Sequence, residues 1–183
     1  MAKYPVSKYV AELADREAIR DCVLRYCRGL DRLDREMLND IYWPGAEDNH
    51  VVYVGSAEGF IDVVIDVLAK IPRTQHLLGN ILIQILDETS ANCESYFQAH
   101  HHMKSEDGRE FDLVMNGRYV DRFEKRNDEW RIANRTCVLD WFRQYADVCS
   151  YAEFKPLGID DVLAQPYLSA RTPHDKSCAI MAP

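Results

Sequence analysis

No two of the six cysteines form a Cys-x-x-Cys pair; they lie at positions 22, 27, 93, 137, 149 and 178. A structural zinc site needs paired thiolates, so this scatter argues against one and reads as reduced thiols in a cytoplasmic protein. No apolar run is long enough to span a bilayer, and Met1 to Lys8 lack the apolar centre of a secretory signal. There is no glycine-rich phosphate loop and no nucleotide fingerprint, so no cofactor is expected. Positive charge is short as well. Lys and Arg number 22 against 30 Asp and Glu, and the net charge of -8 argues against a nucleic-acid partner. Internal repeats and low-complexity tracts are absent.

What remains is an ordinary globular composition, 47% apolar and 28% charged, and 183 residues fit one domain with a substantial core. Helical periodicity comes first. Leu13, Ile19, Cys22, Val23, Tyr26, Cys27 and Leu30 recur at helical spacing, predicting a helix from Val6 to Leu30 with Gly29 as its stop. Asp34 is placed to cap a second helix carrying Met37, Leu38 and Ile41. Pro44-Gly45 breaks the chain, and His50 to Val54 is a candidate short strand. Ser56 and Glu58 open a third helix that ends before Pro72.

Beyond Pro72 the period changes to two. Leu77 to Leu86, Ala91 to Met103, Glu110 to Glu124 and Trp130 to Trp141 read as four strands joined by short polar turns. Short turns between consecutive strands imply an antiparallel meander. Three helices followed by such a sheet imply an α+β fold, the sheet curling round the long helix to leave a pocket at its open end. Residues 1–142 form this domain; residues 143–183 read as an irregular extension, with a candidate short helix at Ile159 to Ala164. Its apolar side chains, Tyr145 to Tyr167, suit packing on the same or a neighbouring subunit.

Two segments carry chemistry. The first helix closes with Tyr26-Cys27-Arg28-Gly29-Leu30-Asp31, and a strand opens with Thr74-Gln75-His76-Leu77-Leu78-Gly79-Asn80. A carboxylate that holds an imidazole in one tautomer makes a general base at neutral pH. Spacing alone leaves other readings open. Asp31 also fits a helix cap, and His76 a core histidine. In His100-His101-His102, strand alternation puts His100 and His102 on one side, a pair that lacks a third metal ligand, and His101 on the other beside Phe97 and Met103.

These two segments, with the closing hairpin Gly117-Arg118-Tyr119-Val120-Asp121-Arg122-Phe123 to Trp130-Arg131-Ile132, resemble the SnoaL-like branch of the nuclear-transport-factor-2-like superfamily over Ala11 to Trp141. The resemblance implies a cone-shaped α+β barrel, three helices on a strongly curved antiparallel sheet, in a dimer or trimer. That superfamily includes scytalone dehydratase, a bile-acid dehydratase, hexachlorocyclohexane dehydrochlorinase, ketosteroid isomerases, dioxygenase small subunits and binding modules. By position Asp31 and His76 match the aspartate–histidine pair of the eliminating members. Tyr26, His101 and Arg135 match further pocket positions. Leu30 stands where scytalone dehydratase has a tyrosine, and Tyr119 where it has an asparagine, so the chain departs from that enzyme.

The expectation is a cofactor-independent lyase of the dehydratase type, or an isomerase. Asp31, His76, Tyr26, His101 and Arg135 are its candidate catalytic residues. A tyrosine hydroxyl, from Tyr26 or Tyr53, would stabilise developing negative charge. Leu30, Tyr53, Leu78, Phe97, Met115 and Tyr119, with Ile41 and Ile65, would form walls suited to a hydrophobic cyclic substrate such as a polyketide, steroid or aromatic catabolite. The rival readings are a non-catalytic small subunit of a ring-hydroxylating dioxygenase and a ligand-binding module. No metal ligand set is expected.

Overall fold

The computed structural model describes residues 6–146 and 170–181. Helix α1 spans Val6–Arg32, α2 Arg35–Ile41 and α3 Ala57–Leu68; a short α4 covers Lys176–Ile180. Strands β1 (Tyr42–His50), β2 (Val54–Ser56), β3 (Arg73–Ile85), β4 (Ser90–Lys104), β5 (Glu110–Arg126) and β6 (Glu129–Tyr145) form one curved, unclosed sheet in the order β2-β1-β6-β5-β4-β3. The three N-terminal helices pack on its concave side, the α+β architecture expected. One pairing departs from it: β1 runs parallel to β6. A parallel neighbour needs a long crossover, and the strands β2 to β5 with α3 supply it.

Local chemistry explains most element ends. The Asp34 carboxylate accepts from Met37 N at 3.0 Å, and Ser56 Oγ accepts from Gly59 N at 3.1 Å, so both helices start with a side-chain cap. Helix α1 runs past Gly29 and stops at Leu33, which adopts a positive φ of 54°, with Asp34 N donating to Gly29 O. Gly29 instead lets Leu38 of α2 approach; a Cβ there would stand 2.7 Å from a Leu38 methyl. Pro44-Gly45 does not end an element. It forms an irregularity inside β1, with Gly45 at φ 78° and the register to β6 shifting between Tyr42 and Glu47.

The core lies between α1 and the sheet. Ile19, Cys22, Val23, Tyr26 and Leu30 on one stripe of α1 meet Ile83, Phe97, Tyr119, Phe123 and Ile132. Trp130 is buried here and donates from Nε1 to Asp15 at 2.8 Å, whereas Trp141 and Phe142 further along β6 are exposed. The candidate helix at Ile159 to Ala164 lies outside the described residues.

Candidate active site

Asp31 sits in the last turn of α1 and His76 near the start of β3, and their side chains meet. His76 Nδ1 lies 2.7 Å from Asp31 Oδ1, and the backbone N–H of His76 donates to Oδ2 at 2.8 Å. A carboxylate only accepts, so Nδ1 carries a proton, and in the neutral ring Nε2 is the nitrogen with the free lone pair. Burial works to raise the Asp31 pKa, but the ring and backbone hydrogen bonds from His76 outweigh it and hold the carboxyl below its ordinary value.

The His76 ring borders an apolar cavity of about 330 Å³. Leu30, Phe97, Met115 and Tyr119 line it, as does Tyr53, and α3 contributes Phe60, Val63, Val64, Val67 and Leu68. Phe97 and Tyr119 stack at 4.4 Å to make a flat aromatic wall. His101 also lines the cavity, its ring edge-on to His76 at 5.5 Å. It is buried, its Nδ1 has no partner among the described residues, and burial, with the neighbouring His76, lowers its pKa to about 4. At neutral pH His101 is therefore an uncharged ring. His102 faces the other way and bonds Asp112 at 2.9 Å, and His100 reaches Gln98 at 3.2 Å. Among the described residues no cluster of three or more His, Cys, Asp or Glu is placed to hold a metal ion.

Several expected positions fall elsewhere. Arg135 does not reach the cavity. It is wholly buried, bound to Asp121 through two hydrogen bonds of 2.7 Å, with its guanidinium 3.9 Å from the Tyr26 ring centre and 4.5 Å from that of Tyr119. Tyr26 is equally buried beneath it and does not line this cavity, and burial drives its phenol pKa well up. Both belong to the core because α1 and β6 press together at this level. Leu78 opens on a separate cleft of about 440 Å³ between α1 and β3, shared with Arg28, Arg32 and the far side of the Asp31–His76 pair. Ile41 joins the core and Ile65 packs against it, so neither lines the cavity; the α3 part of the wall comes from its other apolar residues. The Tyr53 hydroxyl donates to Ser56 O at 3.0 Å.

Two features escaped the sequence reading. Asp48 and His50 alternate on β1, and His50 lines the cavity with its Nδ1 3.2 Å from Asp48. The two-residue spacing was the available signal, since alternate strand residues share a face. The second is Arg171. Its guanidinium donates to the Asp31 carbonyl, to Thr74 Oγ1 at 2.9 Å and to Ile71 O at 3.1 Å, tying the ends of α1 and α3 to the start of β3. A salt bridge of 2.7 Å between Arg32 and Asp175 fastens the same C-terminal segment.

Fold and sequence together define the class. Residues 11–136 match the SnoaL-like domain, and the chain belongs to that family. No curated protein sequence matches it. Among solved structures it is similar to a hexachlorocyclohexane dehydrochlorinase, LinA type 2, with 20% identity over 77% of this chain and 95% of that one, at a TM-score of 0.70. It is also similar to a Novosphingobium aromaticivorans protein provisionally named a scytalone dehydratase (21% identity, 78% and 95% covered, TM-score 0.67). A third, provisionally named an aromatic ring hydroxylase from the same organism, shares 19% identity over 72% and 94% at a TM-score of 0.64.

Proposed function

We propose that this chain is a cofactor-independent lyase that eliminates across a carbon–carbon bond of a hydrophobic, ring-bearing small molecule, with Asp31–His76 as the general base. The observation that carries the reading is the 2.7 Å carboxylate–imidazole bond whose ring borders an apolar cavity. Asp31 holds the tautomer and stabilises the imidazolium once His76 Nε2 has taken the substrate proton. Such a transfer contributes ~10²–10⁴-fold to the rate. His101, uncharged, offers a ring nitrogen to a substrate oxygen. The flat Phe97–Tyr119 wall and the aliphatic face of α3 suit a polyketide, steroid or aromatic catabolite. A structural neighbour named as a dehydrochlorinase supports elimination chemistry on this fold. An open cavity weighs against the small-subunit reading, which needs no pocket.

The test is a substrate panel of hydroxy-ketone steroids and polyketide-like phenols. His76→Gln and Asp31→Asn are each expected to cost orders of magnitude in turnover, and the double variant little more than the worse single one, because the pair acts as a unit. Binding should survive through the apolar walls. Full turnover by both single variants would remove the pair from the mechanism. Binding of panel members with no turnover by the unmodified protein would favour a ligand-binding module.

We also propose that the molecule works as a homo-oligomer, dimer or trimer, through the outer sheet face. There the exposed side chains of Leu77, Leu82, Tyr96, Val120 and Trp141 gather on neighbouring strands.

A further inference from the structure

A second carboxylate–imidazole pair opens on the same cavity from near the other edge of the sheet. His76 lies on β3, an edge strand; His50 ends β1, with β6, β5 and β4 between them. The His50 ring stacks on Phe60 at 4.4 Å and stands 5.9 Å from the Tyr119 ring. Behind it Asp48 is wholly buried, one oxygen 3.2 Å from His50 Nδ1 and the other accepting from the Tyr42 hydroxyl at 2.7 Å. The order is thus Tyr42, Asp48, His50, cavity. A histidine that served only to satisfy Asp48 would need no access to the cavity, yet this ring lines it.

Charge separates the two pairs. The ionisable groups around His50 are Asp48 and Tyr42 on β1, Tyr53 beyond its end, Tyr119 and Asp121 on β5, Arg135 and Cys137 on β6, and Tyr26 on α1, with His76 and His101 also lining the cavity; the cavity-lining residues of α3 are all apolar. Burial keeps the phenols of Tyr26, Tyr42 and Tyr119 and the Cys137 thiol neutral. Asp48 and Asp121 against Arg135 leave one uncompensated negative charge in the core, which an imidazolium at His50 cancels. Around His76 the balance differs. Arg171 lies against Asp31, Arg32 is paired with Asp175, Arg28 adds a further positive charge in the same cleft and His101 is uncharged, so no unmet negative charge there calls for an imidazolium at His76.

Resting on the lyase reading above, we propose that His50 is the general acid of the elimination, protonating the leaving oxygen while His76 removes the carbon-bound proton. Hydroxide leaves poorly, so loss of water needs both events. His76 Nε2 accepts the proton from carbon, and the released C–H electron pair forms the carbon–carbon double bond. The C–O bond breaks with its electrons on oxygen, which takes the Nε2 proton of the His50 imidazolium and departs as water. His76 is left charged and His50 neutral, with its Nδ1–H on Asp48; one proton exchanged through solvent restores both. The substrate class this implies is an apolar ring ketone with a β-hydroxyl group.

A matched pair of bicyclic ketones, one with a β-hydroxyl and one with a β-chloride, reads the two roles apart, because chloride leaves without a proton. His50→Gln and His50→Phe, the second keeping the stack on Phe60, are expected to lose ~10²–10⁴-fold on the hydroxyl ketone. On the chloride they should stay within a few-fold of the unmodified protein, whereas His76→Gln should lose turnover on both. Thermal melts of the variants check folding. Unchanged turnover of the hydroxyl ketone, or an equal loss on both ketones, would overturn the assignment. If the unmodified protein turned over neither ketone, the lyase reading itself would fail. Nitrogen-15 NMR at pH 7 then decides the state of His50 without turnover. The imidazole signal lost in His50→Gln should be the charged form and that lost in His76→Gln the neutral form; a neutral His50 overturns the proposal.

Discussion

His101 links a single side chain to the pH dependence of the whole molecule. Its unfolded value is ~6.5, and burial, with the neighbouring His76, takes it to about 4 in the fold. Between these values the unfolded chain binds a proton that the folded chain refuses. Stability must therefore fall as pH drops from about 6.5 to about 4, by roughly 3 kcal/mol at most. Asp31 adds a loss of the same sign at lower pH, as acid reaches its depressed carboxyl. Urea unfolding midpoints at pH 7 and pH 4.5 test the assignment. The drop should shrink in His101→Gln, and an identical drop in both proteins would exclude His101 as its source. Arg135 shows the opposite outcome for a buried charge. Burial disfavours its charge, but Asp121 alongside raises its pKa, and the bidentate bond keeps it ionised in the core.

Gly117 decides how β5, β6 and the cavity wall fit together. A Cβ there would stand 2.2 Å from Val138 O and 2.9 Å from the Phe97 ring, at a register shift between Asn116 and Gly117. Backbone cannot yield as a side-chain end can. Gly117→Ala is expected to destabilise by ~1–3 kcal/mol or more. It should also disturb the Phe97–Tyr119 stack, seen as a changed near-ultraviolet circular dichroism signal. A stable variant with an unchanged aromatic signal would mean that β6 shifts freely, and that the wall is not set by this contact. The caps of α2 and α3 are local by comparison, one side chain bonding one N–H.

At the scale of the molecule, the exposed apolar side chains of the outer sheet face favour association. Light scattering at micromolar concentration should give a dimer or trimer. Trp141→Glu, on that face, should shift the protein toward monomer with its fold intact by circular dichroism. A monomer in the unmodified protein would defeat the association. The segment at 170–181 packs on the protein's own site through Arg171 and Asp175, while the residues between, including Tyr151 to Tyr167, lie outside the described part. We propose that the segment at 170–181 completes the site from behind, Arg171 holding Asp31 and Thr74 in place.

Element types and capped helix starts were legible because they are local. A period of 3.6 or 2, a Ser or Asp before a helix and a polar turn each act over a few residues. The Asp31–His76 pair was legible only through resemblance, since 45 positions separate its members. Periodicity tells which face a side chain takes, but not at what depth along the cone it lies. Arg135 and Tyr26 were assigned to the right interior and the wrong depth: they stop in the core, one layer from the cavity. His50 and Asp48 became a site only when β1 was laid parallel to β6, a pairing that nothing near them in the chain specifies. Sequence alone determined the three N-terminal helices, the four long strands and their inward faces, through short-range sterics and burial; it missed β1, which runs through Pro44-Gly45, and the break at residues 51–53 that stands within the expected His50 to Val54 strand. Tertiary structure alone decided which inward side chains meet, because register and the order of strands depend on contacts between residues far apart in the chain.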